Sequence, residues 1–598
     1  MGFLISPGVE VKETDLTNII PALATSVGGF AGFFRWGPVN TPVNIGSETE
    51  LVRTFGAPTT KVDDLERSFL TAASYLKYSN ALRVVRAADD SKNAHSSNDY
   101  TSGYGYGENT DGMGISPALN INNIGDLSIN QPDLEENSIR FVARYQGALG
   151  NSISVVAIDS NTAPSEIPVA VKSAKTYDPT STDWSASQAS LLGASSIIED
   201  ELTIIVYDRL GLITGTAGEI LEVYQGLSYF TAAKNSSGQS IYWADVLNNN
   251  SGYVWGVSFT SDIDGLTSAT YNNDGDGWVP WGPELFSGQY LFEGGVDSTT
   301  FSASILEDAI DEFQNAESTD INFVFAHNFG ENATQLSVDN KLIELASSRR
   351  DCLAFISAPL SIATSTDKLS DVKTKFNALS GANSYTVFDS TPVYVYNRYR
   401  DAFAWIPACG HMAGLCAKTD RLADPWFSPA GFNRGNLLGV TKLAYNPKQT
   451  DRDDLYTARI NPIVSSPGNG IVLFGDKTAQ AKPGAFDRIN VRRLFITIEK
   501  AIATASKFLL FELNDEFTRA AFRNAVEPYL REVQGRRGII DFRVICDESN
   551  NTSEVVDNNR FVGTIFIKPS KSINYITLNF VAVRTGVSFE EVIGTSTL

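Results

Sequence analysis

Cys409-x-His411-x4-Cys416 sets two thiols and an imidazole within eight residues, a soft donor set of the kind that holds zinc. Such a site needs four ligands, and no fourth falls at usable spacing. The surrounding Pro407, Ala408, Gly410, Met412, Ala413, Gly414, Leu415 and Ala417 are small and apolar, so the stretch reads as a packed helix with buried cysteines. Asn272-Asn273-Asp274-Gly275-Asp276-Gly277 opens like a calcium loop, with oxygen donors at alternate positions and glycine sixth. Its twelfth position is Pro283 and Glu284 falls one residue late, which reads as a turn. Gly103-x-Gly105-x-Gly107 lacks the spacing and strand–helix setting of a dinucleotide fingerprint and reads as a loop. His95, His327 and His411 are the only histidines, little material for a nucleophilic triad, and neither a nucleophile elbow nor a Walker loop occurs. The expectation is a protein without catalytic, cofactor or metal site, and not an enzyme.

The elements that would position any such residues follow from periodicity. Residues 63–78 read as a helix with Leu65, Phe69, Ala72, Ala73 and Leu76 on one face, followed by a strand at 82–87. Residues 89–135 are rich in Gly, Ser and Asn and read as a loop-like insertion. Short strands at 139–145, 153–158, 202–207, 219–224 and 253–259 predict a β-rich region. Helix, strand, helix and strand at 301–313, 321–325, 333–348 and 352–356 predict an α/β layer beginning near residue 300. Farther on, helices at 491–510 and 514–533 precede strands at 542–547, 563–569 and 573–583.

Residues 91–340 hold 33 acidic side chains against seven basic ones, within a net charge of −22 for all 598 residues. That acidic surface favours solubility and argues against direct nucleic-acid binding. Four cysteines in so long a chain fit a reducing compartment, no segment resembles a signal peptide, and no apolar run is long enough to insert in a membrane. The segment 482–543 carries 12 basic residues against eight acidic. Arg519 and Arg523, four apart on one helix face, are the candidate contact to an acidic partner, the alternative being pairing within the subunit to Asp515, Glu516 or Glu527.

The two ends read as strands without partners. Leu4-Ile5 precedes a Pro7-Gly8 turn and the alternating Val9 and Val11; at the other end, residues 575–583 alternate strongly and Val587, Phe589, Val592 and Ile593 form an amphipathic tail. An unpaired strand recruits another sheet edge, so both ends predict joining of subunits by strand addition. Residues 15–22 and 584–586 would be the flexible connectors.

Several stretches resemble a known family. Pro7-Gly8-Val9-Glu10-Val11-Lys12-Glu13, Gly29-Phe30-Ala31-Gly32, Arg35-Trp36-Gly37-Pro38-Val39-Asn40 and Phe55-Gly56-Ala57-Pro58 look like the opening of contractile tail sheath proteins. Ala413 to Asp420, Trp426 to Gly435, Phe486 to Phe495 and Ser572 to Phe580 resemble the sheath of T-even-type bacteriophages, and Tyr145 to Asn151 resembles the start of its middle domain. The resemblance is collinear over nearly the whole chain. Between Arg86 and Ile139, where that sheath carries a protruding domain, this chain has an interval about half as long.

The resemblance implies a multidomain α/β (mixed α+β) fold: an α/β core built from N- and C-terminal parts, a β-rich inserted outer domain and extended arms. The expected divisions are an arm at 1–22, core at 23–90, insertion at 91–135, outer middle domain at 136–345, tube-facing core at 346–583 and a second arm at 584–598. It further implies a virion component, assembled in the host cytoplasm as stacked hexameric rings of a homo-oligomer around a tail tube protein. Arg519 and Arg523 would be the candidate contact to the tube, baseplate and tail terminator proteins would be further partners, and contraction would drive the tube through the host envelope. Two other readings stand beside it. One is the sheath of a type VI-like secretion or extracellular injection system. The other is a glycan-binding or glycan-active protein, suggested by Trp278, Trp281 and the many acidic side chains.

Overall fold

The computed structural model describes residues 24–96, 119–159, 201–258, 288–330 and 332–574, apart from 138, 229, 230 and 232. The chain divides into two compact units. The larger spans residues 22–425 and 429–500; the described part of the smaller is residues 426–428 and 501–574.

In the larger unit, β1 (Gly28–Phe33), β2 (Val43–Ile45), β3 (Leu82–Ala87), β11 (Phe323–Ala326), β12 (Leu353–Ile356) and β13 (Thr386–Phe388) form a sheet in the order β13-β12-β11-β1-β3-β2. All neighbours are parallel except β2 with β3. β1, β11 and β12 are buried at every position, as strands covered on both faces must be. One face packs on Phe69, Tyr75, Met412 and Leu415 from helices Asp63–Leu76 and Cys409–Leu422. The other packs on Leu306, Ile310, Leu342 and Leu345 from helices Ala303–Asp311 and Asn332–Arg349.

Helices Asp63–Leu76 and Cys409–Leu422 cross closely because Gly410 and Gly414 lie between them. A Cβ on Gly410 would strike the Thr71 carbonyl and Ser74 Oγ; one on Gly414 would strike the Tyr78 ring. Gly410→Val should therefore destabilise the larger unit by about 1–3 kcal/mol through overpacking. Urea unfolding would read this as a lowered midpoint at unchanged slope; an unmoved midpoint would show that the crossing can widen at no cost.

A second sheet is built from β4 (Asn93–Ser96), β5 (Phe141–Gln146), β6 (Ile153–Asp159), β7 (Glu201–Asp208), β8 (Glu219–Ser228), β9 (Val254–Gly256) and β10 (Gly288–Glu293), in the order β8-β7-β6-β10-β4-β5-β9. Its antiparallel pairing encloses Phe141, Val155, Val206, Trp243 and Phe292. Arg86, fully buried at the end of the β3 run, donates to the carbonyls of Phe34, Gly37 and Gln146; burial lowers its pKa to about 10, opposed by Asp297.

Two details differ from the expectations. The flanks of the interval expected as loop carry β4 and the helix Ile124–Glu136. Leu127 and Leu134 of that helix cluster with Leu119, Ile121 and Trp255, too few apolar residues to announce themselves in a polar stretch. The division at residue 345 that the resemblance implied is the other: β11 and the helix Asn332–Arg349 lie against the first sheet, in the α/β layer that periodicity starts near residue 300, with β11 pairing β1 in register Gly28↔Phe323 to Ala31↔Ala326. The remaining strands, β14 (Val393–Asn397), β15 (Ala402–Ile406), β16 (Val440–Leu443), β17 (Ile463–Ser466) and β18 (Gly470–Leu473), form a three-stranded sheet and a hairpin.

In the smaller unit, helix Glu516–Gly535 lies on a two-stranded antiparallel sheet of β19 (Ile539–Ile545) and β20 (Thr564–Pro569).

Candidate functional site

Cys409, His411 and Cys416 all lie within the helix Cys409–Leu422 and are buried. Burial pushes both thiols up to about 12 and His411 down to about 3. His411 Nδ1 meets Tyr78 Oη at 3.0 Å, and Tyr78 Oη also accepts the Leu438 N–H at 2.6 Å. These are core groups holding elements together. Among the described residues no cluster of three or more His, Cys, Asp or Glu is placed to hold a metal, and no helix is long and apolar enough to cross a membrane. The loops at 103–107 and 272–284, with Trp278 and Trp281, lie outside the described residues.

The structure does bring together one serine, histidine and aspartate. Ser68 Oγ lies 2.9 Å from His327 Nδ1, and His327 Nε2 lies 3.0 Å from Asp64 Oδ1. The Asp64 carboxylate can only accept, so the imidazole proton sits on Nε2; Nδ1 then accepts from Ser68 Oγ, which itself accepts the Phe33 N–H at 3.0 Å. Burial lowers the His327 pKa, against the opposing pull of Asp64. Burial alone would raise Asp64, but the His327 hydrogen bond and charge, with Arg67, hold it low. Ser68 and His327 are both 0% exposed, so no substrate reaches the hydroxyl. The trio ties helix Asp63–Leu76 to the end of β11. Nothing in the sequence could pair positions 259 residues apart.

The surface suited to a partner is the smaller unit. Asp515 caps helix Glu516–Gly535 by accepting the Thr518 N–H at 2.8 Å. Phe522, Val526, Leu530 and Val533 fall on one helix face and are buried, with Phe561 edge-on to Phe522. Trp426 joins this unit, its indole N–H donating to the Arg536 carbonyl at 3.0 Å. Among the described residues β19 and β20 pair only with each other, so each presents one open edge. A two-stranded sheet is marginal alone and accepts further strands.

Leu4, Ile5, Val9, Val11, Val587, Phe589, Val592 and Ile593, the expected arm strands, lie outside the described residues. Arg519 and Arg523 share the helix Glu516–Gly535. Arg519 is only 8% exposed; its Nε donates to Asn514 Oδ1 at 2.9 Å and Nη2 to the Asn514 carbonyl at 3.2 Å. Arg523 donates to the Cys546 carbonyl. Neither bond is to Asp515, Glu516 or Glu527. Both guanidinium groups thus brace their own unit.

A different feature is displayed. Phe508, Leu510, Phe511, Leu513 and Phe517 are 72%, 64%, 105%, 77% and 82% exposed, and Phe511 stands at φ 72°. The signal in the sequence is six large apolar residues, Leu509 included, within the ten positions 508–517.

Residues 305–479 match the family model described as the phage tail sheath protein central domain, and residues 481–582 match that of the phage tail sheath C-terminal domain. The chain is 32% identical to the tail sheath protein of Vibrio phage KVP40 over 99% of this chain and 100% of that one. It is 32% identical to the tail sheath protein of Enterobacteria phage T4 over 99% of each. The crystal structure of a sheath tail protein from Listeria innocua is similar at a TM-score of 0.52 and 11% identity, covering 92% of this chain and 96% of that one, a likeness of fold.

Proposed function

The chain belongs to the tail sheath protein family of contractile phages, and from that premise we propose that it polymerises as stacked six-membered rings around a tail tube. Contraction of the polymer then drives the tube through the host envelope. Assembly takes place in the host cytoplasm, with the tube protein, baseplate and terminator as partners. The observation that carries this reading is the two-stranded sheet of β19 and β20, which has two open edges among the described residues. Residues 1–14 and 584–598 of neighbouring copies are the strands that fill those edges. Backbone ladders suit such a joint, because their hydrogen bonds persist while rigid bodies turn about flexible connectors. The relatives with long, nearly complete matches are phage proteins, which favours a phage tail over a secretion or injection machine.

Removing residues 1–14 should leave a folded, soluble subunit that forms no stable sheath. Negative-stain microscopy of full-length and shortened chains tests this: tubes from the full chain alone support the joint, and intact tubes from the shortened chain refute it.

A further inference from the structure

Segment 507–517 of the smaller unit is an exposed apolar ridge. Five large side chains, three of them phenylalanine, stand mostly or wholly in solvent. Together they expose several hundred Å², on the order of the largest patch a soluble monomer normally shows. Phe511 adds backbone strain: its φ of 72° is rare for a bulky residue and is unfavourable. Its side chain is fully exposed, so no packing among the described residues offsets that strain. Glu512, Asp515 and Glu516 are also exposed, against Lys507 as the single cation of the segment. The ridge is therefore apolar and acidic, and what covers it must be apolar and basic.

A surface of that kind exists on the same chain. Helix Glu516–Gly535 is 20 residues long, so its two ends lie ~30 Å apart. Its first turn follows the ridge. Its last turn leads through Arg537 into β19, whose first residue Ile539 pairs with Pro569 at the end of β20. At that far end Arg537, Lys568 and Lys571 are exposed and outnumber the exposed Asp541, which pairs with Lys568 across the sheet; Ile540 is 54% exposed, and Phe566, mid-strand opposite Arg543, is 56% exposed. A subunit with complementary patches at opposite ends of one helix cannot satisfy both by itself. Copies joined head to tail can, and such heterologous contacts propagate into rings or helices.

We propose that the 507–517 ridge of one copy docks on the basic, apolar end of the β19–β20 sheet of the next, a contact between copies additional to the terminal arms. This rests on the self-assembly reading above. Charge complementarity selects the second copy as occupant.

The test uses two full-length variants. Phe508→Ser/Phe511→Ser/Phe517→Ser removes the ridge; Lys568→Glu/Lys571→Glu inverts the receiving end. All five side chains are exposed, so both variants should keep the wild-type circular dichroism and melting profile. Each alone should need at least ~10-fold more protein than wild type to associate in sedimentation velocity, about 1.4 kcal/mol of contact energy. Mixed, they should form a 1:1 pair that grows no further through this contact, because one supplies the intact ridge and the other the intact receiving end. Unchanged association of either variant overturns the proposal. So does loss of binding only to a preformed tube, which would make the tube the occupant, or a wild-type chain that stays monomeric at its solubility limit. Microscopy separates the two readings. Wild-type association without tubes, but sensitive to the ridge, would sink the sheath assembly and keep this contact; tubes formed equally well by the ridge variant would do the reverse.

Discussion

Arg493→Met is expected to lower the unfolding free energy of the larger unit by about 3–5 kcal/mol. Arg493 Nη2 lies 2.6 Å from each Asp420 oxygen, and the two side chains are 4% and 6% exposed. Nη1 also donates to the Cys416 carbonyl at 3.3 Å, and the guanidinium lies over the Phe323 ring at 5.0 Å. Removing the cation leaves Asp420 buried without its counter-charge, which is where the cost arises, since a buried carboxylate cannot recover its lost hydration. The pair itself is worth far less than this, because both ions were desolvated to form it. Asp420→Leu/Arg493→Met should accordingly regain most of the loss. Urea unfolding of the wild type, both single variants and the double variant closes the cycle. Single variants within 1 kcal/mol of wild type would mean that water reaches the pair after all.

Asp420 and Arg493 each sit in a stretch that carries the resemblance to phage sheaths, 73 residues apart, and the contact between them gives those stretches a shared physical reason. Local elements were readable because each is written in one window. The apolar stripe of residues 63–76, the buried run Leu82–Ala87 and the paired helix and strand near 333–356 all formed close to where periodicity put them. Sheet order was not readable. β1 meets β11 across 295 residues, and no window contains both. The Ser68–His327–Asp64 tie was hidden for the same reason. Residues 507–517 were not singled out in the sequence, because density of apolar residues signals burial only when the subunit is the whole structure. In a polymer the same residues can wait for the next copy. The bonds of Arg519 and Arg523 to carbonyl and amide oxygens of their own unit were not readable from a charged pair on one helix face.

His411→Phe should change how stability depends on pH more than it changes stability itself. Folded His411, with no hydrogen-bond partner at Nε2, stays neutral to about pH 3 because burial and, secondarily, Lys77 disfavour its charge; the unfolded imidazole takes its proton near 6.5. Between those values the unfolded state binds the extra proton, so stability rises with pH by about 1.4 kcal/mol per unit. The contribution is complete above 6.5 and is lost as the pH falls toward 3. Asp389 acts with the opposite sign. Its burial raises the folded pKa from 3.8 to about 7, so the folded state holds a proton that the unfolded state has released, and stability from this group declines as pH rises through that window. In the wild type the two slopes largely offset each other between pH 4 and 6.5. The phenylalanine variant removes only the first. At pH 7 it should be less stable by about 1–2 kcal/mol, having lost the Tyr78 hydrogen bond. By pH 4.5 the difference should have moved about 3 kcal/mol in the variant's favour, reversing the order. His327 titrates in the same direction but is common to both proteins and cancels in the difference. Denaturation curves at pH 4.5, 5.5, 6.5 and 7 are sufficient, and two profiles that run parallel would show that the folded imidazole accepts its proton as readily as the unfolded one.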